Sequence, residues 1–148
     1  MRGTSGSRLQ RLRSVRPGDV AELIAVAFVA ARTAWLLKRR SLSEVAEESR
    51  VALLSADAES HSIAESALPP WAQRRMALTM LVMRHWPRGD VCLYRSLVLG
   101  RRLAALAPVL VIGVRPVNDR PIDAHAWLRI GGVDLDPMSR AYLPFEFV

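Results

Sequence analysis

The sequence predicts an α+β fold in which a helical N-terminal half packs on a small antiparallel sheet. Apolar residues recur at helical spacing over most of the chain, and beyond Pro108 the pattern changes to that of β-strands. The chain has 148 residues, which is enough for one domain with its own apolar core. Its single cysteine excludes an internal disulfide, which is typical of a reducing compartment, so we predict a cytoplasmic protein.

The positive charge of the chain is concentrated at its N-terminus. The net charge is +7, but five arginines precede the first acid, Asp19, and the other residues carry only about +2. We predict that the polar residues 1–17 form a flexible basic arm. Aromatic residues make up 6% of the chain and are not interleaved with a basic stripe, so we predict no nucleic-acid partner. The five arginines are Arg2, Arg8, Arg11, Arg13 and Arg16.

Residues 18–68 are predicted to form an N-terminal helical segment that begins with a long apolar helix. This helix is expected to run from about Asp19, which can cap its start, to Arg39 at its negative end. The apolar run is similar to a signal peptide or a membrane anchor, but Glu22 and Arg32 interrupt it. We therefore predict an amphipathic or buried helix, with membrane contact as the alternative.

A second helix is predicted over about residues 42–55. Ser41 and Glu44 have the spacing of a capping box, in which each side chain bonds the backbone N–H of the other residue. The acidic and small residues that follow, 56–68, are typical of a linker. The helical segment should therefore end where the last segment, 69–148, begins.

Two further helices are predicted at the start of the last segment. Pro70 suits the first turn of a helix, and the sequence PRG at 87–89 should end that helix. Asp90 is expected to cap the next helix, which places Cys92 on its first turn.

Strands follow these helices. The β-branched residues 109–115 predict a buried strand, and residues 116–121 predict a turn. The stretches DAHAWLRI and VDLDP flank Gly131 and Gly132, which predicts a hairpin closed by a two-residue loop.

The register of this hairpin selects a partner for His125. With a two-residue loop, Arg129 faces Asp134, and an ion pair between them is expected. Asp136 then lies on the diagonal from His125, on the same face and within reach of a hydrogen bond. We therefore predict Asp136 as the partner of His125 and keep Asp134 as the reserve.

Cys92, His125 and Asp136 together have the chemistry of a nucleophile, a base and an orienting acid. Unpaired N–H groups and the helix dipole at the start of a helix favour an anion such as the thiolate of Cys92. Taken singly, the cysteine is typical of a small buried side chain, the histidine of a structural contact and DLDP of a turn. Their joint placement in this order favours a catalytic triad. No metal-ligand spacing and no glycine-rich phosphate loop occurs, so we predict neither a metal nor a cofactor.

Three stretches around these residues resemble a known family, the standalone leader peptidases of lasso peptide biosynthesis. That family belongs to the transglutaminase-like cysteine protease superfamily. The resemblance covers about residues 70–138, extends loosely over 18–55 and is absent from the arm. The stretches are CLYRSLVLGRRL at 92–103, VLVIGVRP at 109–116 and AHAWLRIGGVDLD at 124–136.

The resemblance implies a papain/transglutaminase-like core in segment 69–148. It implies Cys92 as the nucleophile, His125 as the general base and then acid, and a carboxylate after the hairpin that orients the imidazole. The motif leaves that carboxylate open between Asp136 and Asp134. The stretch LAALAPVLVIG has alanines where relatives often have a basic, glycine-containing turn before the strand. This departure concerns the shape of the loop more than the chemistry of the site.

The resemblance also implies an activity and its partners. Such enzymes cut a precursor peptide between its leader and its core, together with a separate leader-recognition protein, and an ATP-dependent cyclase then closes the core. Three alternatives remain open from the sequence: an acyltransferase with the same triad, a non-catalytic scaffold of the biosynthetic complex, and a basic peripheral membrane protein.

Overall fold

A computed structural model describes residues 17–54, 68–89, 91–117 and 120–145. Within these ranges, four α-helices and a five-stranded sheet form the molecule, which confirms the predicted α+β fold. Main-chain pairing and side-chain packing position the residues singled out from the sequence.

Some of the sequence predictions fall outside the described residues. The predicted arm over 1–17 lies outside them except for Pro17, and the predicted linker over 56–68 lies outside them except for Leu68. Asp90, the predicted helix cap, also lies outside the described residues.

The first helix, α1, spans Pro17–Leu36. It begins two residues before the predicted cap, because proline is well suited to the first turn of a helix. Asp19 instead lies buried in that first turn and accepts a hydrogen bond of 2.8 Å from Nε of Arg74. The prediction that Asp19 caps the helix is therefore wrong. The predicted end at Arg39 is also wrong, because the chain already turns over 37–39.

The second helix, α2, spans Leu42–Glu48 and begins with the predicted capping box. The backbone N–H of Ser41 donates to Oε2 of Glu44 at 2.8 Å, and Oγ of Ser41 accepts from the backbone N–H of Glu44 at 3.4 Å. The predicted start is therefore confirmed. The predicted end near residue 55 is wrong, because Arg50 has a φ of 55°, outside the right-handed helical region.

Residues Ala52–Leu53 form a short strand, β1, where a helix was predicted. Strand β1 pairs parallel with β2, which spans Val109–Val117, so the sheet is mixed rather than purely antiparallel. The flanking residues Val51 and Leu54 are buried, and the N–H of Leu54 donates to the carbonyl of Leu110 at 3.0 Å. A short apolar run fits either a helix or a buried strand, and tertiary pairing decides between them here.

The helices α3 and α4 span Pro70–His85 and Cys92–Arg102. Helix α3 has Pro70 at its first position, as predicted. The residue at the N-cap of α4 is Val91, so the prediction that Asp90 is the cap residue is wrong by one position. Cys92 is consequently the first residue of α4, and a short 3₁₀-helix over Ala104–Leu106 follows this helix.

The sheet has β1, β2, β3 and β4 in this spatial order, where β3 spans Arg120–Ile130 and β4 spans Val133–Asp134. Strand β5, Leu143–Phe145, also pairs with β2. Strand β2 continues to Val117 and β3 begins at Arg120. Four of the six residues of the predicted turn, 116–121, therefore belong to these strands, and the prediction of a six-residue turn is wrong.

The β3–β4 hairpin has the predicted register. Ile130 is opposite Val133 and Arg129 is opposite Asp134, so the loop contains two residues. Both loop glycines have positive φ, 56° and 81°, the conformation that such tight hairpin loops require.

Helix α4 is central to the core. Leu97 on this helix and Leu103, the residue that follows it, pack against Leu110 and Leu128 of the sheet in the main buried cluster. On another side, the hydroxyl of Tyr94 donates to the carbonyl of Ala30 on α1 at 2.6 Å. Contacts on two sides therefore fix the position of α4, and with it the position of Cys92.

Gly113 should be intolerant of a larger side chain. It lies opposite His125 in the β2–β3 ladder, and a Cβ there would come within 2.6 Å of Cη2 of Trp127 and 2.9 Å of Cβ of Tyr142. We expect Gly113→Ala to lower the free energy of unfolding by about 1–3 kcal/mol, measured by urea denaturation. Gly18→Ala is the matched control, because among the described residues nothing outside its chain neighbours and the backbone of its own helix lies within 4 Å of the added Cβ. Equal stabilities of the two variants would contradict this view of the strand.

Candidate active site

His125 and Asp136 are joined by a hydrogen bond. Nε2 of His125 lies 2.9 Å from Oδ2 of Asp136, and the two side chains are only 14% and 21% exposed. Since a carboxylate only accepts, a neutral imidazole in this pair carries its proton on Nε2 and leaves Nδ1 as the basic nitrogen. Nδ1 has no hydrogen-bond partner in the part of the chain that the structure describes.

Asp136 is held in place by three neighbours besides its own backbone. Its Oδ1 accepts from the N–H of Met138 at 2.8 Å and so caps the 3₁₀-helix over Pro137–Ala141. Arg95 reaches to 3.7 Å from Oδ2, the oxygen that also contacts His125. Burial alone would raise the pKa of Asp136, but the hydrogen bonds from Met138 and His125 and the charges of His125 and Arg95 hold it below its ordinary value. The carboxylate is therefore ionised at neutral pH.

Asp134, the reserve carboxylate, has a different partner. Nε of Arg129 donates to its Oδ1 at 2.8 Å across the hairpin, which is the predicted ion pair. The two aspartates therefore have different partners: Asp136 is hydrogen-bonded to His125, and Asp134 is ion-paired with Arg129.

The first turn of α4 lies against the strand of His125. Oγ of Ser96, one helical turn after Cys92, donates to the carbonyl of Ala126 at 3.2 Å. Cys92 itself is partly buried and packs against the main core cluster, which includes Ala126. Among the described residues the sulfur has no hydrogen bond, so the convergence of Cys92 on His125 stays a prediction. Catalytic hydrogen bonds often close only when substrate is bound.

Two aromatic rings that sequence reasoning did not assign to the site flank His125. The ring of Tyr142 lies 5.1 Å from the imidazole and the ring of Trp127 lies 5.9 Å from it, between centroids. Burial and the hydrogen bond to Asp123 raise the pKa of Tyr142 above its ordinary value. Trp127 could have been predicted as a neighbour of His125, because residues two apart on a strand share a face, whereas no local signal marks Tyr142.

Tyr142 is fixed by a small polar network at the end of the β2–β3 pair. Its hydroxyl donates to Oδ2 of Asp123 at 3.0 Å, and Nε of Arg115 donates to the same oxygen at 2.8 Å. The guanidinium of Arg115 also lies 5.0 Å from the centroid of the tyrosine ring. The network therefore fixes the ring of Tyr142 beside His125 through hydrogen bonds that involve neither His125 nor Asp136.

A cavity of about 300 Å³ lies next to Asp136, between α3, α4 and the end of the hairpin. Its walls are mostly apolar and include Met76, Met80 and Leu135, with Arg95 beside Asp136. Methionine walls adapt to different apolar side chains, so the cavity could accept one from a peptide. Within the described ranges, no group of three or more His, Cys, Asp or Glu side chains could hold a metal ion.

Asp136 should contribute to stability in a pH-dependent way. Because its pKa is lowered in the folded protein, the stabilisation is present above the ordinary carboxylate pKa and is lost as the pH falls through the lowered value. We therefore expect the free energy of unfolding to fall more steeply on acidification in the wild type than in Asp136→Asn. Urea denaturation over a series of acidic pH values measures both slopes. Parallel slopes would show that Asp136 is not the group responsible.

One family comparison gives a match. The family model described as the transglutaminase-like superfamily matches residues 23–144, which includes Cys92, His125 and Asp136. Searches of curated proteins and of solved structures gave no significant match.

Proposed function

The chain belongs to the transglutaminase-like superfamily, and on this basis we propose that it is a cysteine peptidase that removes the leader from a lasso peptide precursor. The observation that carries the proposal is the hydrogen bond of 2.9 Å between His125 and Asp136, next to a helix that begins at Cys92. The narrower assignment to lasso peptides rests on the sequence resemblance of the three stretches around these residues.

The proposed reaction begins at the sulfur. Nδ1 of His125 takes the proton of the Cys92 thiol, and the thiolate attacks the carbonyl carbon of the last leader residue. The resulting imidazolium is stabilised by ionised Asp136 on the other side of the ring. The oxyanion is stabilised by the backbone N–H of Cys92, one of the unpaired N–H groups at the start of α4.

Two steps complete the reaction. The C–N bond breaks, the amine of the core peptide leaves with the proton from Nδ1 of His125, and the leader stays bound to the sulfur as a thioester. Water then gives a proton to Nδ1 and attacks the thioester carbon. The C–S bond breaks, Nδ1 returns the proton to the sulfur of Cys92, and the leader leaves as a carboxylic acid.

We further propose that a separate leader-recognition protein presents the precursor, and that an ATP-dependent cyclase uses the released core. A flexible peptide bound at a single site loses much conformational freedom, so positioning by a second protein should supply a large part of the rate. The direct experiment combines this protein with a precursor and its recognition protein, and identifies the fragments by mass spectrometry. Leader and core fragments are expected, in much higher yield with the recognition protein. An intact precursor, or equal rates without that protein, would contradict the proposal.

The superfamily also favours a second candidate, acyl transfer to an amine. The thioester on Cys92 is the same in both reactions, and only the acceptor differs. Addition of a small primary amine to the same assay distinguishes them, because a transferase gives a leader amide whereas a peptidase gives the free acid. Complete conversion to the amide would favour the acyltransferase.

A further inference from the structure

Helix α1 exposes a continuous apolar stripe. Val20, Ile24, Phe28 and Trp35 are 50%, 66%, 68% and 50% exposed, and their spacing of four, four and seven residues places them on one side of the helix. The stripe is about 22 Å long at the rise of an α-helix. The opposite side of α1 is already buried against α3 and α4 through Val26 and other residues. The fold therefore does not use the stripe for its own core.

The exposed charges at the border of the stripe are mostly basic, and two of these arginines are ion-paired with glutamates of α2. The two acidic residues of α1 are turned toward the protein: Glu22 is bound by Arg102 at 2.7 Å, and Asp19 by Arg74. Arg32, whose side chain is 56% exposed, lies beside the stripe and forms an ion pair with Glu48 of α2. After α1 come Lys38, Arg39 and Arg40, all exposed, of which Arg40 lies 3.7 Å from the carboxylate of Glu44.

The end of the stripe has the character of an interfacial anchor. The guanidinium of Arg39 lies 4.7 Å from the centroid of the Trp35 ring, so an aromatic ring and a cation are presented together. Tryptophan is favoured where apolar and polar layers meet, and basic residues are attracted to anionic head groups. Within the described residues, no helix is both long enough and apolar enough to cross a membrane. A helix with these properties lies along a bilayer surface instead of spanning it.

We propose that the stripe of α1 docks on an anionic lipid bilayer, with Ile24 and Phe28 inserted and the basic residues at the end of α1 on the head groups. A second copy of the chain is a poorer occupant, because it would add a further set of basic residues to this surface, while both carboxylates of α1 are already bound by Arg102 and Arg74. The proposal concerns a surface outside the candidate active site and does not depend on the proposed peptidase activity.

Co-sedimentation of the full chain with vesicles tests the proposal. We expect binding to vesicles of phosphatidylcholine mixed with phosphatidylglycerol, weaker binding to phosphatidylcholine alone, and release by high salt. The double variant Ile24→Ser with Phe28→Ser should lower the bound fraction at least ~10-fold, because both apolar contacts are lost. These side chains are exposed, so the variant should keep its fold, which circular dichroism checks.

Two further variants distinguish the apolar contribution to vesicle binding from the electrostatic one. Ile122→Ser, at a position on β3 that is 71% exposed, removes an exposed isoleucine elsewhere, as Ile24→Ser does in the stripe, and should leave binding unchanged. Replacement of Lys38, Arg39 and Arg40 by glutamine should remove the preference for anionic vesicles. No binding to any vesicle, or equal losses in the Ile122 and stripe variants, would overturn the proposal and leave a protein partner as the occupant of α1.

Discussion

Replacement of Cys92 by alanine is expected to abolish cleavage of the precursor, with a loss of about 10⁴- to 10⁶-fold in rate. The sulfur is the nucleophile in the proposed mechanism, and a methyl group cannot form the thioester. Time courses by mass spectrometry, with the recognition protein present, measure the effect. Because Cys92 is the only cysteine in the chain, iodoacetamide should inactivate the wild type with the addition of one carbamidomethyl group.

The alanine variant also distinguishes catalysis from a scaffold role. Cys92 is the first residue of α4 and only partly buried, and alanine is a good helix former, so the fold should be retained. A variant that is folded, still associates with the recognition protein and is inactive supports the peptidase. Unchanged product yield from the folded variant would instead favour a non-catalytic scaffold.

The part of the site that lies on the hairpin could be predicted because its geometry is local. A two-residue loop fixes the register, and the register fixes which side chains meet, so the contact of His125 with Asp136 follows from fourteen residues of sequence. The same argument correctly separated Asp134, whose partner is Arg129. Asp136 lies beyond the end of β4, and the cap that it provides to the following 3₁₀-helix was not predicted.

The features that the sequence did not reveal depend on contacts between distant segments. Asp19 is an ordinary cap candidate by local rules, but Arg74, 55 residues away, binds it inside the fold. Strand β1 exists because β2 offers it hydrogen bonds, although its own residues also fit a helix. Tyr142 reaches His125 only because β5 returns to β2 after the 3₁₀-helix. A helical projection of α4 could have found Arg95, three residues after Cys92, as a candidate neighbour of the site.

Asp136→Asn and Asp134→Asn form a matched pair, because each removes one negative charge from the same region of the hairpin. We expect Asp136→Asn to lower the rate of cleavage by about 10²- to 10⁴-fold, and Asp134→Asn to change it little. Cleavage assays of both variants under the same conditions, with the recognition protein, give the comparison. Similar losses in both variants would contradict the assignment of Asp136 as the orienting acid.

The size of the expected loss follows from the two hydrogen bonds of Asp136. An asparagine can still cap the 3₁₀-helix only if its oxygen accepts from the N–H of Met138, which turns its amide group toward Nε2 of His125. Nε2 would then accept a hydrogen bond, and the imidazole proton would move to Nδ1, the nitrogen that must take the proton of Cys92. The Asp136→Asn variant should therefore stay folded, but Nδ1 of His125 would be protonated and could not act as the base. ¹⁵N NMR of His125, which distinguishes the two tautomers, should show the proton on Nδ1 in this variant and on Nε2 in the wild type; the same tautomer in both would refute this explanation.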